Sequence, residues 1–318
     1  MKILANDGLA ENACEKLRNH GHTVITAKVE QMELPNYINK QHIDVVLVRS
    51  ATQIRKELID ACPDLKLIGR GGVGMDNIDV EYARSKGKIV FNTPASSSQS
   101  VAEMAFAHLF SMYRFLYDSN RKMQNSNAAD FKNLKKKYGE GLELRGKTLG
   151  LIGIGRIGQA TAKYALGLGM KVVAHDPFID VVSIPIEING EIVTKVLIKT
   201  TSLDEVLKVS DAISLHVPKQ KDGSAVIGKN EISAMKEGVF LLNLSRGGVI
   251  DEDALIEGLN SGKVAAAGLD VFENEPLVRE DILNHAKISL SPHIGAATNE
   301  AQDRIGDEIV DIILENAK

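Results

Sequence analysis

The run Gly150-Leu151-Ile152-Gly153-Ile154-Gly155-Arg156-Ile157-Gly158 lies in mid-chain between an apolar, strand-like segment and a helix-like one. It sets a G-x-G-x-x-G pattern where a β-strand turns into an α-helix, the context in which such glycines cradle a pyrophosphate. Gly153 permits the tight turn, Gly155 lets backbone approach the anion, and Gly158 lets helix and strand pack closely. Arg156 and Ile157 open the helix, whose unpaired N–H groups point at the phosphates. Further on, the strand Lys171–His175 runs into Asp176, placed to accept hydrogen bonds from a ribose diol. The Asp176 carboxylate would repel a 2′-phosphate, and Pro177-Phe178-Ile179 offers no arginine to neutralise one, so NAD is expected over NADP.

Two further side chains suit chemistry on a small acid. Arg246 follows a buried strand, at the carboxyl end where open α/β sheets bind ligands. Its guanidinium can hold a carboxylate and polarise a neighbouring carbonyl oxygen in a fork geometry that lysine lacks. His293, between Pro292 and Ile294-Gly295 after the strand Ile288–Leu290, is expected on a loop entering a cleft. An imidazole there can take the proton of a 2-hydroxy acid or return it to a 2-keto acid. A carboxylate beside it would fix its tautomer and favour the imidazolium; Glu273 and Glu275 compete for that place. Among the other histidines, His20, His22, His42 and His285 sit in polar, surface-like contexts. His108 lies in an apolar helix and reads as a hydrogen-bonded packing residue. His216, in Leu215-His216-Val217-Pro218, either lines a nicotinamide pocket or is a strand-end residue.

These residues need a scaffold, and the chain's 318 residues suffice for two domains with separate cores. The 44% hydrophobic and 25% charged content is that of a globular protein, and a net charge of −4 gives no footprint for nucleic acid or an anionic membrane. Apolar runs fall short of a membrane span and the N-terminus enters a short strand without a signal peptide, so a cytoplasmic protein is expected. Cys14 and Cys62 cannot make a disulfide framework, and no Cys/His cluster has zinc spacing, so no metal is expected.

Strands at Lys2–Asn6, Thr23–Ala27, Ile43–Arg49, Leu65–Arg70 and Lys88–Asn92 alternate with helices at Leu9–Asn19, Ile54–Ala61 and Ile78–Ser85, plus a weaker one near Pro35–Lys40. Such alternation predicts a parallel sheet covered on both faces. After a Pro/Ser-rich link at Thr93–Ser98, Ser100-Val101-Ala102-Glu103 reads as a capping box, followed by an all-round apolar helix to about Tyr117. That helix is expected at a domain or subunit interface. Asp118–Arg145 reads as a solvated, basic connection. A second α/β series has strands near Thr148–Gly153, Lys171–His175, Asp211–His216, Val239–Leu244, Val264–Asp270 and Lys287–Leu290. Asn189-Gly190, flanked by alternating apolar residues, predicts an antiparallel hairpin near 182–199. The helix from Glu300 to about Glu315 is expected to pack back on the first domain. Residues 1–98 plus 293–318 would then form one domain, interrupted by 99–292.

The glycine run with Asp176, then Asn243–Asp251, Gly268–Pro276 and Ser291–Thr298, occur in the order and spacing of the D-isomer-specific 2-hydroxyacid dehydrogenases, which the chain resembles over essentially its whole length. The resemblance implies two doubly wound parallel-sheet α/β domains, a flavodoxin-like substrate domain interrupted by a Rossmann NAD-binding domain. It implies Arg246, Glu275 and His293 as the catalytic set, the acid being the one directly before the proline. Gly153, Gly155, Arg156, Ile157, Gly158, Asp176, His216, Pro218 and Asp270 would serve the cofactor. Gly69–Asp79 is similar to the family's carboxylate-binding loop, with an anion nest at Val73 and Gly74. Val48-Arg49-Ser50-Ala51-Thr52 resembles the segment that phosphoglycerate dehydrogenases turn toward the substrate phosphate. Arg49 is therefore the phosphate candidate, with Lys136 or Lys137 as supplements from a neighbouring subunit. The reading that follows is a short-form phosphoglycerate dehydrogenase, homodimeric and without the C-terminal serine-sensing domains of many relatives. Alternatives are a hydroxypyruvate/glyoxylate or D-lactate-type reductase and, in another class, an NAD(H)-sensing corepressor-like protein. Formate dehydrogenase is disfavoured, because that branch has glutamine where Glu275 stands.

Overall fold

In the computed structural model, which describes residues 1–317, contacts divide the chain into two units. One comprises Met1–Ser98 and the chain from Ala296 onward; the other is Gln99–Gly295. The first opens β1 (Lys2–Ala5), α1 (Glu11–Asn19), β2 (Thr23–Ile25), α2 (Leu34–Gln41), β3 (Val45–Val48), α3 (Lys56–Ala61), β4 (Leu67–Arg70), α4 (Val80–Ser85) and β5 (Ile89–Asn92). All five strands are parallel in the order β2-β1-β3-β4-β5. That is the flavodoxin-like doubly wound order, reversing direction between β1 and β3. Because helices cover both faces, β3 is an uninterrupted aliphatic run, Val-Val-Leu-Val, buried at every residue.

The second unit begins with α5 (Ser98–Tyr113), α6 (Leu116–Gln124) and α7 (Phe131–Lys137). Then come β6 (Thr148–Ile152), α8 (Arg156–Gly167), β7 (Lys171–His175), β8 (Val181–Ile188), β9 (Glu191–Lys199), α9 (Leu203–Val209) and β10 (Ala212–Leu215). It closes with α10 (Lys229–Ala234), β11 (Val239–Asn243), α11 (Glu252–Ser261), β12 (Val264–Leu269), α12 (Glu280–Leu283) and β13 (Ile288–Leu290). The sheet is parallel throughout, in the order β13-β12-β11-β10-β6-β7, with its reversal between β6 and β10. Finally α13 (Asn299–Asn316) rejoins the first unit, setting Ile305, Ile309 and Ile313 against Ile3, Leu17 and Leu47.

The expected α/β class with two parallel sheets is what the structure has. Three local expectations change. The apolar helix starts at Ser98, so Ser100 lies inside its first turn rather than ahead of it. It ends at Tyr113 rather than Tyr117, because Phe115 adopts a left-handed conformation (φ +55°) before α6. The segment after it is not a plain connection but carries α6 and α7. Polar bonds hold these helices together: the Asp118 carboxylate accepts from Lys137 Nζ (2.9 Å) and Tyr138 Oη (2.6 Å). Apolar periodicity does not reveal such pairing. The hairpin forms as read, with Asn189 (φ +51°) and Gly190 (φ +84°) at its turn and one register shift after Ile186. Val182, Ile184 and Ile198 bury its inner face, and Thr200 bridges to Ala174 of β7.

Candidate active site

The loop from β6 into α8 has the geometry of an anion cradle. At Gly153 (φ +90°) a β-carbon would stand 2.4 Å from the His216 carbonyl oxygen, and at Gly158 one would stand 2.3 Å from the Gly153 carbonyl oxygen. A β-carbon on Gly155 would meet nothing within 4 Å, so the cradle is open on that side. Gly155 caps α8 without a side-chain hydrogen bond, leaving the amides at Arg156 and Ile157 at an uncapped helix start. These residues fit a dinucleotide pyrophosphate. Asp176 closes the edge: its carboxylate accepts from the amides of Ile154 (3.0 Å) and Phe178 (2.9 Å). Each oxygen retains a lone pair for a further donor. His216 follows β10, its amide donating to the Ile152 carbonyl (2.8 Å) and its Nε2 lying 3.1 Å from Ser214 Oγ. Desolvation pushes this imidazole down to about 4, so it is neutral near pH 7. Pro218 is exposed two residues on.

Arg246, Glu275 and His293 all emerge beyond the carboxyl ends of three adjacent strands. β11, β12 and β13 run in register there, with Asn243 beside Leu269 and Leu269 beside Leu290. The Asn243 side chain braces the first loop, donating to the Arg246 carbonyl (2.9 Å) and accepting from the Ser245 amide (3.1 Å). Arg246 Nη1 donates to the Ser245 carbonyl at 2.7 Å. Gly247 then lies flat on the next loop, where a β-carbon would sit 1.6 Å from the Phe272 carbonyl oxygen. The Phe272 amide donates to Glu275 Oε1 (2.9 Å), and Glu275 Oε2 meets His293 Nδ1 at 2.7 Å. An imidazole in such a pair can take up and release a proton through its second nitrogen. Glu273 is engaged elsewhere: it and Glu252 each accept from the other's backbone amide (3.1 and 2.9 Å). Beside the Glu275–His293 pair opens a mainly apolar cavity of about 350 Å³ lined by Phe272, Pro276, Val278, Leu283, Leu290 and Pro292.

Asp270 faces the His293 loop. Only 1% exposed, it accepts from Ser291 Oγ (2.6 Å) and from the amides of Ile294 (2.9 Å) and Gly295 (2.7 Å). These bonds tie 293–295 to the second unit, moving that boundary three residues beyond the one expected from sequence. Sequence reasoning did not single out Ser291, Asn243 or Gly247. Each lies within a stretch that carries the family resemblance, Ser291 heading the one that contains His293.

In the first unit, Arg49 follows β3 and Val73-Gly74 follow β4, which pairs with β3. Asn77 Nδ2 donates to the carbonyls of Arg49 (2.8 Å) and Thr52 (2.6 Å), tying the two loops. Among the described residues the Arg49 guanidinium has no ion pair or hydrogen bond, and the amides of Val73 and Gly74 have no acceptor. Arg49 helps line an open cavity of about 410 Å³ with Asn6, Asp7, Lys28 and Ser50. Burial opposes ionisation of Asp7, but Lys28, Thr52 Oγ1 and the amides of Arg49 and Thr52 outweigh it and hold the carboxyl below its ordinary range. In the second unit, Lys137 is bound to Asp118 and Lys136 is exposed.

Residues 106–295 match the family model for the NAD-binding domain of D-isomer-specific 2-hydroxyacid dehydrogenases, and the chain belongs to that family. Its cofactor is accordingly NAD. The chain is 42% identical to a hydroxypyruvate reductase of Thermotoga maritima over 98% of its own length and 97% of that protein. It is 38% identical to a D-3-phosphoglycerate dehydrogenase of Archaeoglobus fulgidus over 100% of its length, yet spans only 58% of that protein. A D-lactate dehydrogenase from Aquifex aeolicus, solved with NAD and lactic acid, superposes with a TM-score of 0.75 at 31% identity, covering 100% of this chain and 95% of that one. Among the described residues no helix is long and apolar enough to cross a membrane.

Proposed function

We propose that this protein interconverts 3-phosphoglycerate and 3-phosphohydroxypyruvate with NAD, the oxidation that enters serine biosynthesis. The observation carrying the substrate is Arg49: a guanidinium with no ion pair among the described residues, one strand away from two amides without acceptors. A phosphate suits the first and a carboxylate the second.

When bound, NAD supplies the hydride acceptor at the nicotinamide ring. The Asp176 carboxylate holds the adenosine ribose diol and repels a 2′-phosphate. Arg246 polarises the C2 oxygen of the substrate. His293 takes the C2 hydroxyl proton in oxidation and returns it in reduction. With Nδ1 engaged by Glu275 at 2.7 Å, Nε2 is the nitrogen left for that exchange.

A second reading, a hydroxypyruvate or glyoxylate reductase, is favoured by the 42% identical relative matched along nearly its full length. Initial rates on 3-phosphoglycerate, D-glycerate, D-lactate and hydroxypyruvate, repeated with Arg49→Ala, separate the two. Loss of a charge-assisted phosphate contact should raise KM for 3-phosphoglycerate by about 10- to 100-fold and leave D-glycerate nearly unchanged. Equal effects on both substrates would remove the phosphate assignment. NADH binding with no turnover on any acid would instead favour the corepressor-like alternative. We also propose a homodimer through the second unit, where Phe110, Leu116, Met123 and Phe131 are exposed on α5–α7. A monomeric mass by light scattering would refute it.

A further inference from the structure

His108 sits on α5, only 5% exposed, and neither the cradle nor the Glu275–His293 pair touches it. Its Nδ1 is 2.9 Å from Ser289 Oγ and its Nε2 is 2.9 Å from Ser291 Oγ. The strand beside it is shaped to admit it: a β-carbon on Gly268 would come within 2.8 Å of the His108 β-carbon. Proton directions along this line follow from one fixed point. The Ile294 and Gly295 amides can only donate, which makes both Asp270 oxygens acceptors, so Ser291 gives its hydroxyl proton to Asp270 Oδ1 at 2.6 Å. Ser291 Oγ then has only lone pairs to offer His108, and Nε2 must carry the imidazole hydrogen. Nδ1 in turn accepts from Ser289. Desolvation lowers the His108 pKa, which keeps the ring in this neutral tautomer.

At the far end of the line the Asp270 carboxylate grips the amides of Ile294 and Gly295, the two residues after His293. His293 itself stands at φ +54°, a left-handed conformation that a non-glycine residue holds only when its surroundings impose it. We infer that His108 is a positioning residue: through Ser291 it orients the Asp270 carboxylate that clamps the loop and sets the His293 imidazole against Glu275. The inference rests on reading His293 as the proton-transferring group. His108 meets no substrate or cofactor and acts only through this line of bonds.

The test uses full-length protein labelled with ¹⁵N-histidine, with the His293 ring signals assigned by their loss in His293→Gln. His108→Met fills a similar volume but removes the donor to Ser291. The His293 ring signals should then shift or broaden, with kcat falling about 10- to 100-fold and KM changing little. His108→Gln, whose amide can again donate to Ser291, should restore both. The double variant His108→Met/Ser291→Ala should lose no more than Ser291→Ala alone, because both act along one line. Unmoved His293 signals in His108→Met overturn the inference. Should that variant fail to fold, Ser291→Ala is read in the same way. The two readings fail separately. A wild-type protein without turnover, whose His293 signals respond to His108→Met, loses the proposed function and keeps the positioning role. An active enzyme with unresponsive signals does the reverse.

Discussion

A single imidazole has two nitrogens, and in this protein they have different surroundings. Nδ1 of His293 is bound to Glu275, which is itself pinned by the Phe272 amide, so the carboxylate cannot swing away without losing a backbone bond. On the proposed mechanism, His293→Ala should lower kcat by about 10²- to 10⁴-fold. NADH affinity, measured by fluorescence titration, should be unchanged; its loss would mean that the residue serves the cofactor rather than the proton. Asp176 lies at the opposite end of the chemistry. Replacing it with alanine removes an acceptor for the ribose diol and the charge that repels a 2′-phosphate. The Kd for NAD should rise about tenfold or more while that for NADP rises less. An unmodified enzyme that already prefers NADP would overturn the selectivity argument.

Secondary-structure elements turn these residues toward one another through close backbone contacts. Gly247 is the sharpest case, since a β-carbon there would overlap a carbonyl oxygen that no rotamer change can move. Gly247→Ala should force the Arg246 loop away from the Phe272–Glu275 turn and cut kcat by about 10²-fold. A variant that keeps wild-type kcat and an unchanged melting temperature would show that the two loops can separate without consequence. The strands, the hairpin turn and the glycine cradle were legible before the structure because each is a local pattern: short apolar runs bounded by turns, Asn-Gly, a glycine triplet. The α6–α7 arm was not, since Asp118 reaches forward to Lys137 and Tyr138 across a stretch with no apolar periodicity. Glu275 was separable from Glu273 only by family resemblance. In the structure the difference is physical, because Glu273 is committed to the Glu252 amide.

At the scale of the molecule, acid stability has a definite sign. Desolvation lowers the pKa of His22, His108, His216 and His285, and His216 falls to about 4. Each folded-state value lies below the ordinary 6.5, so the unfolded chain takes up protons that the folded one refuses. The stability is intact above pH 6.5 and is lost as pH falls toward 4, with His216 accounting for at most about 3 kcal/mol. Carboxylates held below their ordinary range, Asp7 and Asp211 among them, add a separate loss at lower pH. Melting temperatures at pH 7.5, 5.5 and 4.5 should fall through the first window, and His216→Asn should flatten that fall. A flat curve in the unmodified protein would contradict the burial argument.

Where the chain would form strands, where a phosphate cradle would sit and which kind of chemistry to expect were readable from residue order, because short-range sterics and hydrophobic alternation act over a few neighbours. Which carboxylate meets which imidazole was a matter of three-dimensional packing. Glu275 and His293, or His108 and Ser291, meet only after parallel strands align and a helix seats against them. No short-range preference encodes contacts between residues so far apart along the backbone.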